Sequence, residues 1–488
     1  MQRSKLIQQL RQLKPRELQR FRDFVFSPFF NKNQKVRTVC SAILSFAPDF
    51  QSPQLHRSAL FQLLYPDSAY SDGRINNVLS DLFQLLHQFF TQLQLERTPS
   101  LQVHFLLDQL LLRESHTEIP RVAKRYRMTQ QRTPHRNYAF FYDEYRYYDQ
   151  MDRYFLTKGK REYDPNLQEK SDHLDRYYLG NKLRIACDML SRNTVAKASY
   201  QCHFLDALLA QLPEALATEA PALRVYYQVL QMLREPEVEH HYQTLVELLQ
   251  THFDRFPQEE LRVLFTYAIN YCIRKINSGA GGYYHKIFVL YRQTLDGEII
   301  FKNGHLTSWT FKNIITTGIR LREFDWVEGF IFQYQANLIP EEQAGAVAFN
   351  LAALYYARQD YLAALRQLHR VDFTNTSYHL GAKIIQIKSY FELDETEALY
   401  ALMEATRKYV LRSAQLSEYG KQANNNYLKL TRQLYRLKGR RTRLSEAAFA
   451  AVKKRLGERL ESDQLVANKD WLRTVFRKLT AGHSPPDL

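Results

Sequence analysis

The sequence predicts an all-α protein made mostly of stacked helical hairpins, an α-solenoid, with a small N-terminal helical domain and a basic C-terminal helical cap. Three observations predict it. Glycine and proline are scarce, 16 each in 488 residues, and turn-rich β architectures need more of both. Apolar residues recur at i, i+3, i+4 and i+7 in segment after segment. Near residue 360 one helix-turn-helix, AFNLAALYYARQDYLAALRQLHRV (348–371), has small and large residues spaced so that two helices can cross closely and stack on neighbours.

Residues 1–97 read as the small N-terminal domain. Leu6, Leu10 and Leu13 form one apolar stripe. Lys14-Pro15 interrupts it, and Leu18, Phe21, Phe24 and Val25 begin the next. Ser27-Pro28 and the Asn31–Asn33 cluster end that helix, and helices are expected over 36–46 and 56–64. Ser71 is an N-cap residue for a longer helix, 75–93, with Val78, Leu82, Leu85, Leu86, Phe89 and Phe90 along one side. Arg97-Thr98-Pro99-Ser100 reads as a linker.

Residues 98–255 read as a helical array of degenerate repeats. Positions 138–155 hold nine aromatics in eighteen residues. Tyr138, Phe141, Tyr145 and Tyr148 form one stripe, and Phe140, Tyr147 and Tyr154 another. A helix apolar on two faces is expected to be packed on two sides.

The repeat pattern is clearest over 256–410 and is tetratricopeptide-like, a unit of roughly 34 residues in two antiparallel helices. Leu351-Ala352 and Tyr355 match the first-helix leucine, small residue and tyrosine. Asp360-Tyr361 fits the turn, and Ala364 the small residue at the helix crossing. Leu368 and Val371 replace the usual aromatic and alanine, and Thr376 stands near the usual terminal proline. Asp325-Trp326 mirrors Asp360-Tyr361, with Gly329 in the role of Ala364. Tyr390 mirrors Tyr355, with Ala398 as the small residue. Ala268, Tyr271 and the loop before Tyr283-Tyr284 suggest a further unit.

Residues 411–488 form the expected cap. Tyr427, Leu430, Leu434 and Leu437 make an apolar stripe, with Lys429, Arg432, Arg436, Arg440 and Arg441 on a different face. The net charge is +16, but 19 Lys or Arg against 6 Asp or Glu lie between 405 and 480, so the basicity is C-terminal. A localised basic face attracts polyanions or acidic protein surfaces.

SPFFNKNQ (27–34), NYCIRKIN (270–277), the Asn313-Ile314-Ile315 region and the 348–371 repeat resemble blocks of a family of uncharacterised bacterial proteins, in which they recur along nearly the whole chain. The resemblance implies a tetratricopeptide-like fold and a cytosolic location. It implies no activity and assigns no site residues.

The other constellations read as structural. Gly279-Ala280-Gly281-Gly282 with Lys286 lacks the spacing of a phosphate loop and reads as a turn. Adjacent His240 and His241 lack the i, i+4 spacing of a helical zinc site. Asp172, His173 and Asp175 read as a charge cluster near a helix N-terminus. Cys40, Cys187, Cys202 and Cys272, with no C-x-x-C, read as small core residues of a reducing cytoplasm. The 138–155 aromatics could stack bases, but Asp143, Glu144, Asp149 and Asp152 oppose phosphate. No stretch is apolar enough to span a membrane, and the N-terminus lacks a signal-peptide core.

The expected function is therefore non-enzymatic: a scaffold that binds a protein or peptide in the concave face of the stack, without a cofactor or metal. In the best unit Phe349, Ala353 and Tyr356 would line that groove. One alternative is a nucleic-acid-associated protein that uses the 405–480 basic face. The other is an enzyme whose site has no readable spacing.

Overall fold

The computed structural model describes residues 1–159, 161–196, 199–210, 220–369, 376–440, 444–462 and 465–481. Their regular secondary structure is helical, with no strand among them. No helix among them is long and apolar enough to cross a membrane. The chain divides into two compact units, Met1–Tyr227 and Gln228–Leu488. The division falls inside the stretch expected as one array, within helix Pro221–Arg234.

In the first unit, α1 (Lys5–Leu10), α2 (Pro15–Phe26), α3 (Gln34–Leu44), α4 (Arg57–Leu64) and α5 (Asp72–Glu96) enclose one core. Ile7, Phe21, Val36, Ile43, Ile75 and Leu86 are fully buried in it. Local chemistry sets the starts: Pro15 opens α2, the Lys14 N–H donates to Glu17 Oε2 at 3.1 Å, and the Asn33 side chain accepts from Lys35 N. Ser71 stands at the N-cap of α5 without a side-chain bond.

The expected linker at 97–100 is instead a tight corner. Pro99 is the first residue of α6 (Pro99–Leu112), which packs on α5, because proline's fixed φ suits a first helical turn. α7 (Glu118–Arg132), α8 (Tyr138–Leu156), α9 (Pro165–Ala196) and α10 (Leu205–Ala210) follow. α8 is packed on two sides, as its aromatics require. Tyr147 stacks on Tyr126 of α7 at 4.6 Å, and Tyr148 stacks on His173 of α9 at 5.3 Å.

α11 (Pro221–Arg234) spans the division. The second unit continues with α12 (Glu239–Thr251), α13 (Gln258–Asn277), α14 (Tyr283–Asp296), α15 (Ser308–Arg320), α16 (Phe324–Tyr334), α17 (Pro340–Ala357), α18 (Tyr361–Leu368), α19 (Thr376–Glu392), α20 (Thr396–Arg412), α21 (Glu418–Arg440), α22 (Glu446–Ser462) and α23 (Lys469–Thr480). From α12 to α21 each helix packs on the next, and α15 also packs on α17 and α17 on α19.

One turn recurs in this unit. Gly279, Arg322, Gln359 and Asp394 all have positive φ, between 62° and 98°. In each case the next N–H donates to the carbonyl five residues earlier: Ala280 to Lys275, Glu323 to Gly318, Asp360 to Tyr355, Glu395 to Tyr390, at 2.9–3.1 Å. This is the Schellman ending of a helix. It recurs between α6 and α7, where Glu114 has φ 52° and Ser115 donates to Leu110 at 3.0 Å.

The close helix crossing is not at Gly329, where a Cβ would meet open space. It is at Gly318, whose missing Cβ would collide with Val327. Ala352 and Ala364 are fully buried, as expected of small packing residues. Val371 lies outside the described residues, as does the Thr376 side chain. The cap shares its core with α19 and α20: Ile387, Phe391, Leu399, Tyr427, Leu434 and Leu472 belong to one cluster.

Candidate partner-binding surface

α15, α17 and α19 are the first helices of three successive hairpins, and they are almost free of acid. Their acidic residues are Glu341 and Glu342 in the first turn of α17 and Glu392 at the end of α19. They carry Lys312, Arg320, Lys383 and Lys388. None of these four has a carboxylate within ion-pair distance among the described residues.

Lys312 points its ammonium at three rings, one from each helix. Its Nζ lies 5.3 Å from the centroid of Phe349, 5.7 Å from Trp309 and 5.8 Å from Tyr378. A cation over ring faces is held by their quadrupoles. The rings are fixed in turn: Tyr378 Oη donates to Ser308 O at 2.8 Å, Phe349 meets Tyr378 edge-on, and Gly381 leaves room for the Phe349 ring. Burial lowers the pKa of Lys312 and of Lys383, because desolvation disfavours the charged amine.

Lys388 has a neutral partner. Its Nζ donates to Asn468 Oδ1 at 2.7 Å and lies 5.5 Å from the Trp471 ring. Burial, then the charge of Arg320, lowers its pKa to about 8. Trp471 projects from α23 against Phe391 and Tyr427, and its Nε1 donates to Tyr356 Oη at 2.8 Å.

The three expected groove residues therefore have different fates. Phe349 is 7% exposed, so it is a packing residue under Lys312 rather than a free contact. Tyr356 is engaged by the protein's own Trp471, and burial raises its phenol pKa. Ala353 is half-buried on α17. Trp309, 65% exposed beside Lys312, takes the aromatic place that Phe349 was expected to hold. Sequence reasoning missed Lys312, Lys383 and Lys388. The readable signal was the missing acid in three first helices.

The expected basic face is a true row on α21. Lys429, Arg432, Arg436 and Arg440 fall within one narrow stripe at helical spacing. Lys429, Arg436 and Arg440 are exposed, and Arg432 lies over the Tyr400 ring at 5.5 Å. None pairs with a carboxylate among the described residues. Arg441 lies outside those residues. Lys438 faces elsewhere, donating to Phe391 O and pairing with Asp394 at 2.6 Å.

The lesser constellations are structural. The 279–282 run is the turn between α13 and α14, and Lys286 pairs with Glu239. His241 bonds Gln228 and Glu235. Asp172, His173 and Asp175 lie two turns inside α9, not at its start. His173 is buried between Phe141 and Tyr148, which lowers its pKa to about 4. Cys40, Cys187 and Cys272 are buried free thiols, and Cys202 is half-exposed. Burial pushes the Cys40 thiol up to about 12 and the Cys272 thiol to about 11. No protein-family model, curated protein or solved structure matches the chain.

Proposed function

We propose that α13–α20 form a tetratricopeptide-like stack and that the protein is a non-enzymatic interaction module of the cytoplasm. Its partner is an acidic protein or peptide segment laid along the α15–α17–α19 layer. The stacking proposal rests on the recurring turn and on first helix packing against first helix. The binding proposal rests on one observation: two partly desolvated lysines on that layer, Lys312 and Lys383, have no carboxylate among the described residues. An unpaired, partly buried cation costs stability until an anion meets it, so a carboxylate-bearing segment gains both pairing and desolvated surroundings. Lys312 in its ring cage is held in place for such a contact.

The row Lys429–Arg432–Arg436–Arg440, exposed except at Arg432, favours a second reading, in which α21 touches nucleic-acid phosphates. Affinity capture from the native cell separates the two. Lys312→Gln/Lys383→Gln should remove protein partners held by wild type and leave captured nucleic acid unchanged. Arg432→Glu/Arg436→Glu/Arg440→Glu should do the reverse. A partner set unchanged by the lysine pair would discard the layer as the binding surface.

A further inference from the structure

The N-terminal bundle carries a separate surface that owes nothing to that layer. Pro15, Leu18, Arg22 and Phe26 follow one another at i, i+3, i+7 and i+11, a single stripe along α2. Pro15, Leu18 and Arg22 line a cleft of about 480 Å³ whose other wall is Ser41, Leu44 and Pro48, from α3 and the turn after it. The loop from Ser27 to Asn33 continues the stripe into a ridge of exposed rings. Phe29 is 86% exposed, with Phe26 and Phe30 open beside it.

That loop is held firmly. Asn31 is buried; its Nδ2 donates to Val25 O at 2.9 Å, its Oδ1 accepts from Asn33 N at 2.9 Å, and its carbonyl accepts from Arg37 at 2.6 Å. Phe30 stacks on Phe24 at 4.0 Å, and Phe29 meets Phe30 edge-on. A ring already fixed in place loses little freedom on binding. Arg22 links the two features, lining the cleft and lying over the Phe26 ring, and binding hot spots cluster where such side chains meet a pocket.

The charge around the cleft selects the partner. From Pro15 to Pro48 there are six Lys or Arg and two acids, Glu17 and Asp23; of the six, Arg20 is already paired with Glu96 at 2.6 Å, and Arg22 is the charged residue that lines the cleft. Glu17 is already paired with Arg97 at 2.9 Å, and Asp23 accepts from Gln19. Arg22 lies over the Phe26 ring at 5.6 Å with no carboxylate partner among the described residues.

We propose that the α2–α3 cleft and the Phe26–Phe29–Phe30 ridge dock an amphipathic helix of another protein. Its apolar residues, at i, i+3 or i+4, and i+7, enter the cleft, and its Asp or Glu flanks face Arg22 and Lys32. α2 spans roughly 18 Å, so about three turns of partner helix are covered.

A displayed library of random peptides about 12 residues long, selected on the full-length protein, tests this. The expected winners carry acids around a helical apolar stripe. They lose at least about tenfold in affinity on Phe29→Ser and on Arg22→Glu, as interface anchors do, and bind Lys312→Gln/Lys383→Gln as they bind wild type. Both test positions are exposed, so the variants keep the fold. Winners without acids, winners indifferent to both substitutions, or no enrichment would overturn the proposal. So would Phe29-dependent binding to phosphatidylserine vesicles, or Phe29-dependent self-association in sedimentation.

Discussion

Lys388 sets one ammonium against Trp471 with the Asn468 amide oxygen as its partner. Its pKa falls from 10.5 unfolded to about 8 folded. The unfolded chain thus binds more protons between those values, and stability rises with pH across that window; below about pH 8 the penalty is fully present. Lys388→Met should stabilise the protein by about 1–3 kcal/mol at pH 7 and flatten the rise between pH 7.5 and 9.5, read from urea midpoints. His173 behaves alike at lower pH. With a folded pKa near 4 against 6.5, its contribution is present above pH 6.5 and is lost as pH falls toward 4. His173→Phe should remove roughly 2 kcal/mol of that acid sensitivity. Neither role was readable in sequence. Asn468 is 80 residues from Lys388, and the rings around His173 come from another helix.

At the scale of elements, the hairpin turns were legible because turn chemistry is local. Asp360-Tyr361 marked the hairpin that the αL residue Gln359 closes. Glycine in αL avoids the Cβ cost of roughly 1 kcal/mol, so Gln359→Gly should raise stability by about 0.5–1 kcal/mol in thermal unfolding. The crossing glycine was not legible. Gly318 and Gly329 are the same residue type in consecutive helices, and only packing against Val327 tells them apart. Gly318→Ala should cost at least about 2 kcal/mol through overpacking. Gly329→Ala should be neutral or stabilising by up to about 1 kcal/mol through helix propensity.

At the scale of the molecule, helix content could be read from composition and the C-terminal charge from the distribution of Lys and Arg along the chain. The division at Tyr227 could not, because α11 runs through it without a break in pattern. Two of the three residues read as groove-lining are engaged within the fold itself. Spacing put Phe349 and Tyr356 on α17's open side, whereas Tyr378, Gly381 and Trp471 cover them. What remains open is cationic. If α21 contacts DNA, affinity should fall with salt at a slope near −0.9 per phosphate contact, and the triple Glu variant of its arginines should abolish it. The most direct test of the acidic-partner account is a benzophenone amino acid placed at Ala353 and irradiated in the native cell. We predict adducts to an Asp- and Glu-rich protein segment that disappear in Lys312→Gln/Lys383→Gln. Adducts that persist in that variant, or that map to segments without acids, would contradict it.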